Sequence, residues 1–158
     1  MRFTTHEDVE APIEFVFAKL SDFDAFERQG LRQGVEITRL DTLTAPGVGA
    51  IWDARVMIRG KQRRINAEVM DFDAPAMMAF CAISDGFAAD FRVDLVGLSR
   101  KRTRIGIDLD IKPKTLTARL LLQSARLTKN SLTKRFKRRV RSYGIEIEDK
   151  FRRASGTI

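Results

Sequence analysis

Two tight-turn signals set inside alternating sequence constrain this chain more than any other feature. From Val35 to Ile111, apolar and polar residues alternate with period two in one segment after another, with short turns between, as in an antiparallel meander with one buried face. Asp85-Gly86 is a favoured type I′ pair, which predicts Ser84 opposite Phe87, Ala82 opposite Ala89, Phe80 opposite Phe91 and Met78 opposite Val93. Gly60-Lys61 has glycine first, as a type II′ turn requires. It predicts Ile58 opposite Arg63, Val56 opposite Ile65, Ala54 opposite Ala67 and Trp52 opposite Val69. The two counts are independent, and both gather apolar residues on one face. The last strand continues that face with Ile105, Ile107 and Leu109, while Arg104, Asp108 and Asp110 alternate outward.

The predicted inner face therefore takes Trp52, Ala54, Val56, Ile65, Ala67 and Val69 from one hairpin. It takes Met78, Phe80, Ala82, Phe87, Ala89, Phe91, Val93 and Leu95 from the other. None of these ionises. Proton transfer needs a donor or acceptor within about 3 Å of the reacting atom, and these strands supply none to whatever they enclose. The alanine pairs, Ala54 with Ala67 and Ala82 with Ala89, leave volume for a closely approaching helix or for a ligand cavity, and both readings stay open. On the opposite face fall Ile51, Met57, Met70, Met77, Ala79, Cys81 and Ile83. If their strands are neighbours, they form a patch suited to a second copy of the chain, a homodimer through the outer sheet face. Otherwise they are scattered among Arg55, Arg64, Arg92 and Asp90.

Upstream, Arg2 to Glu10 reads as a strand with Phe3 and Val9 on one parity. Ala11-Pro12 then starts a helix in which Ile13, Val16, Phe17 and Leu20 recur up to Ser21. A second short helix, about Phe23 to Gln29, is predicted to end at Gly30. After Pro113 the pattern is helical to Arg153, and forty residues of straight helix would span about 60 Å, too long for a domain with a radius of gyration of about 15 Å. Leu132, Phe136, Val140, Tyr143, Ile147 and Phe151 share one stripe, whereas Leu116, Leu120 and Leu127 carried forward in phase lie opposite it. The phase change predicts a break at Thr128-Lys129-Asn130-Ser131, giving a shorter helix and then a long one.

Charge is concentrated in the same region. The chain has Lys+Arg 29 and Asp+Glu 21 in 158 residues, yet between Ile111 and Ile145 eleven cations meet no acid. On the long helix Lys134, Lys137, Arg138 and Arg141 cluster opposite the apolar stripe, a surface suited to an anionic membrane or to RNA phosphate. Because the stripe belongs to the core, membrane contact would be electrostatic or would use the leucines of the shorter helix. That face lacks interleaved aromatic residues, so RNA binding would be salt-sensitive and sequence-neutral. The alternative is a solvated helix face.

A single domain over 1–158 fits the length. No run reaches the roughly 18 apolar residues of a spanning helix, and Glu7, Asp8, Glu10 and Glu14 argue against a signal peptide. One cysteine, Cys81, fits a reducing compartment, and a cytoplasmic location is expected.

The order of elements, with Val9-Glu10-Ala11-Pro12 followed by Val16-Phe17-Ala18-Lys19-Leu20-Ser21-Asp22-Phe23, and Pro46-Gly47-Val48-Gly49-Ala50-Ile51-Trp52 as a Gly-x-Gly lead-in to the third strand, resembles the START-related, polyketide cyclase-like helix-grip (SRPBCC) superfamily. The resemblance implies an α+β helix-grip fold: a curved seven-stranded antiparallel sheet wrapped around a long C-terminal helix, with two short helices after the first strand and a cavity between sheet and helix. Members of that superfamily bind hydrophobic molecules and some are aromatase/cyclases; with no ionisable group on the inner face, the favoured function is noncatalytic binding or transport of a lipid, polyketide or quinone-like molecule. The ligand would meet Trp52, Ala54, Val56, Ala67, Val69, Phe80, Ala82, Ala89, Phe91, Ile105, Ile107, Phe136, Val140 and Tyr143, with the Tyr143 hydroxyl a candidate orienting group. The alternatives are a polyketide cyclase/aromatase-like enzyme, and a basic-helix module for RNA, ribosome or anionic membrane. No catalytic signature of the cyclases is present, so no catalytic residue is assigned. No metal or cofactor is expected. The lone His6 is predicted to face outward, and Glu7 shares the parity of Val9.

Overall fold

The computed structural model describes residues 1–156; the last two residues of the predicted domain lie outside the described residues. In chain order the elements are β1 (Arg2–Val9), α1 (Ile13–Leu20), α2 (Phe23–Arg32), β2 (Glu36–Arg39), β3 (Ile51–Ile58), β4 (Lys61–Asp73), β5 (Met77–Ser84), β6 (Phe87–Ser99), β7 (Arg102–Pro113), α3 (Leu116–Arg126) and α4 (Lys129–Ala154). The strands form one unclosed antiparallel sheet in the order β1-β7-β6-β5-β4-β3-β2. This is the predicted α+β helix-grip architecture, the sheet curving around α4.

The β5–β6 register is the predicted one in every pair: Ser84 with Phe87, Ala82 with Ala89, Phe80 with Phe91, Met78 with Val93. Its turn differs, because only Gly86 takes a positive φ, 79°, so Asp85-Gly86 is not a type I′ turn. The β3–β4 register is displaced by two residues, pairing Ile58 with Lys61, Val56 with Arg63, Ala54 with Ile65 and Trp52 with Ala67. The cause is the turn. Arg59 and Gly60 both have positive φ, 52° and 75°, the signature of a type I′ pair one residue earlier than the predicted II′ pair. A shift of two preserves which face each side chain takes, so Ala54 loses its alanine partner but keeps its side. Ala67, Ala82 and Ala89 instead stand in one row across β4, β5 and β6. Past a bulge between Val69 and Asp71, the parity of β4 changes and Phe72 turns inward against Phe17, ring centroids 5.2 Å apart.

Gly30 does not end α2. The helix continues to Arg32, and Gly34 supplies the positive φ, 85°, beyond it. A Cβ at Gly30 would fall 2.5 Å from Ile37 Cδ1 and displace that terminal methyl, so this glycine lies in close packing against β2. The expected interruption of the C-terminal helix falls at Leu127-Thr128, one residue ahead of the predicted start, and α4 opens at Lys129.

The core is solid at the end of the sheet where α1 packs. Val9, Val16, Val69 and Ile147 are each 1% exposed or less there, and the buried Thr103 hydroxyl donates to the Ala11 carbonyl at 2.8 Å. α4 lies along the edge strand β1. Gly144 allows the close approach, since a Cβ there would sit 2.9 Å from Val9 Cγ1, while Phe3 meets Phe136 and Phe15 meets Phe151. Held on that edge, the middle of α4 leaves space above β3 to β7.

On the outer face β3, β4 and β5 are neighbours, so the exposed Met57, Met70 and Ile83 share one surface. Ion pairs run beside them, including Arg64 with Asp53 and Arg92 with Asp94. Among the described residues, no helix is long and apolar enough to cross a membrane.

Candidate functional site: an apolar cavity beneath the long helix

The space under α4 is a cavity of about 560 Å³, within the range of sites for small molecules. Its floor is the inner face of the sheet, through Trp52, Ala54, Ala67, Met78, Phe80, Phe91, Val93, Ile105 and Ile107, and its roof is Phe136, Val140 and Tyr143 of α4. Strand alternation puts the floor residues on one side. The i, i+4, i+7 spacing of the roof residues puts them on one helix face.

Ten of the fourteen predicted contacts line this space: Trp52, Ala54, Ala67, Phe80, Phe91, Ile105, Ile107, Phe136, Val140 and Tyr143. The other four do not. Val69 is 1% exposed within the solid core, and Val56, Ala82 and Ala89 are half-buried beyond the cavity toward the hairpin ends.

Helices α1 and α2 and strand β2 complete the wall with Leu20, Phe23, Phe26, Glu27 and Ile37, and α4 adds Arg139. The strands contribute no ionisable group, but Glu27 and Arg139 amend the expectation of a wholly non-ionisable lining. Glu27 is held in place. Its Oε1 accepts from Trp52 Nε1 at 2.6 Å and from Arg39 Nη1 at 3.3 Å, and the Arg39 guanidinium lies 5.0 Å over the Trp52 ring. Arg39 is tied in turn to Asp41 at 2.5 Å, and Asp41 also accepts from the backbone N–H of Ile51 and Leu43. The chain Trp52-Glu27-Arg39-Asp41 thereby fixes the indole and clamps α2 to β2 and β3.

Phe26 and Arg139 are the exposed members of the lining and mark the side on which the cavity opens, between α2 and α4. There Phe26 stacks on Tyr143, centroids 5.5 Å apart and planes 20° from parallel. Burial, with lesser contributions from Glu146 and Asp22, pushes the Tyr143 phenol up, so it remains a protonated donor at any physiological pH. His6 is exposed on the outer face of β1 opposite Gly106, whereas Glu7 lies on the inner side near Gly144. Lys134, Lys137, Arg138 and Arg141 are all exposed on α4, away from the cavity.

No family model matches the sequence, and no curated protein sequence matches it. Solved structures do. A protein of Thermus thermophilus superposes with a TM-score of 0.67 at 16% identity, covering 98% of this chain and 99% of that one. The Zhui aromatase/cyclase from Streptomyces sp. R1128 gives 0.61 at 16% identity over 85% of this chain and 88% of its own. A START superfamily protein from Mycobacterium smegmatis gives 0.56 at 18% identity, covering 85% and 95%.

Proposed function

Starting from a chain with the START-like helix-grip fold, we propose that it binds an apolar small molecule in the cavity between sheet and α4, as a carrier or receptor without chemistry of its own. The observation that carries this reading is the 560 Å³ space lined almost wholly by aliphatic and aromatic side chains. Burying about 200 Å² of ligand there contributes roughly 5 kcal/mol before the costs of association, so no charged contact is needed for useful affinity. Glu27 can accept, and Tyr143 can donate, a hydrogen bond to one polar group on an otherwise oily ligand.

The aromatase/cyclase activity named for one structural neighbour is not carried over. The acidic group in the wall is engaged by Trp52 and Arg39, and the single histidine faces away on the outer side of the sheet.

The test is organic extraction of purified protein with mass spectrometry, together with titration of the apolar fluorophore N-phenyl-1-naphthylamine. Wild type should bind the probe, and Ala67→Phe, which fills the floor, should bind at least about tenfold more weakly while remaining folded. A wild type that neither carries nor binds an apolar molecule, or an Ala67→Phe variant that binds equally well, overturns the reading.

A further inference from the structure

We propose that α3 is a docking element for an anionic lipid bilayer: its outward leucines enter the acyl boundary and its flanking cations hold the phosphate headgroups. The short helix is apolar on two sides. Ala118 is buried and Leu122 and Ala125 are half-buried; where Ala118 and Thr115 pack over the turn, a Cβ on Gly86 would lie 3.3 and 3.1 Å from them. That side is satisfied by the protein. Leu116 and Leu120, continued by Leu127 just past the last turn, recur at i, i+4, i+11, within about 40° of one another on the helix wheel. They are 73%, 57% and 89% exposed; Leu121, about a third of a turn away from the stripe, is 41% exposed.

Charge identifies the occupant. Arg119 and Arg126 on α3 beside this stripe, and Lys114 and Lys129 just beyond the two ends of the helix, are all exposed, within the segment of eleven cations and no acid. Of those eleven, Lys112 is the one that pairs with carboxylates among the described residues, at Asp90 and Asp110. A second copy of the chain would bring the same positive field against itself. RNA would satisfy the cations and leave the leucines in water. An anionic bilayer matches both: leucines bury below the headgroups, while long arginine stems lie in the interface with their charge at phosphate level.

This inference does not rest on the cavity being filled. It is tested by flotation of the full chain with vesicles of pure phosphatidylcholine and with vesicles in which roughly a third of the lipid is phosphatidylglycerol. Wild type should float with the anionic vesicles alone. The triple variant Leu116→Ser, Leu120→Ser, Leu127→Ser should bind them at least about tenfold more weakly, and the pair Arg119→Glu, Arg126→Glu should do likewise. All five positions are exposed, so the circular dichroism and the naphthylamine titration should match wild type. Leu40→Ser, on the distant loop before β3 and also exposed, should bind as wild type does. Equal binding to both vesicle types, no binding to either, or undiminished binding by the triple-serine variant overturns the proposal. So does binding of single-stranded RNA that survives the serine substitutions while vesicles are ignored, which would assign the cations to nucleic acid.

Discussion

A Cβ placed on Gly144 would approach Val9 Cγ1 to 2.9 Å, and Val9 is 1% exposed and β-branched, so it has little room to yield. Alanine would recover about 1 kcal/mol of helix propensity against that contact, whereas valine gains less and adds two more carbons to the clash. Gly144→Ala is therefore expected to be near neutral, and Gly144→Val to lose about 1–3 kcal/mol in urea denaturation. An unchanged midpoint for the valine variant would show that α4 can lift from β1 freely. Asp41 makes a second prediction at this scale. The Arg39 hydrogen bond first, then the N–H groups of Ile51 and Leu43, hold its carboxyl well below the usual carboxylate range, against an opposing effect of burial. A folded-state value below the unfolded one means that the unfolded chain takes up the proton first. The stabilisation is complete above about pH 5 and declines as the pH falls further. Asp41→Asn should melt lower than wild type at neutral pH, with the gap narrowing in melts at about pH 3.

At the scale of elements, the β3–β4 hairpin holds a non-glycine residue, Arg59, at a φ of 52°. Type I′ turns favour Asn-Gly, because asparagine tolerates this conformation better than a long side chain does. Arg59→Asn should raise stability by several tenths to about 1 kcal/mol, read from the shift in Tm; a fall would mean that the guanidinium contributes more than the turn costs. This hairpin also marks the limit of reading register from sequence. Gly60 was visible, but whether it stands first or second in its turn depends on Arg59 adopting positive φ, which no rule of composition announces. For β5–β6, Gly86 fixed the register even though Asp85 takes no positive φ. The floor of the cavity was legible because parity survives a two-residue slip, and the roof because helical phase is local. Phe26, Glu27, Ile37 and Arg139 were not legible. α2 and β2 reach the cavity only through their path across the fold. The one local signal there, a carboxylate three residues before Gly30, is equally at home on a helix that faces only water.

For the whole molecule, the packing varies along the sheet: closed at the α1 end, open beneath the middle of α4. A ligand that binds only the folded state should stabilise the entire protein through that opening. At a hundredfold excess over its Kd the gain is about 2.7 kcal/mol, measurable as a rise in Tm. The chain has one tryptophan, Trp52, and it lines the cavity, so the same titration should change its emission with a matching midpoint. A thermal shift without a fluorescence change would place the ligand elsewhere. The face-to-face contact of Phe26 with Tyr143 adds a consequence for timing. A bulky apolar guest of the kind proposed, passing between α2 and α4, would meet this ring pair at the rim. In that reading the stacked pair adds a barrier to both entry and exit, on top of the hold that the apolar lining has on a bound guest.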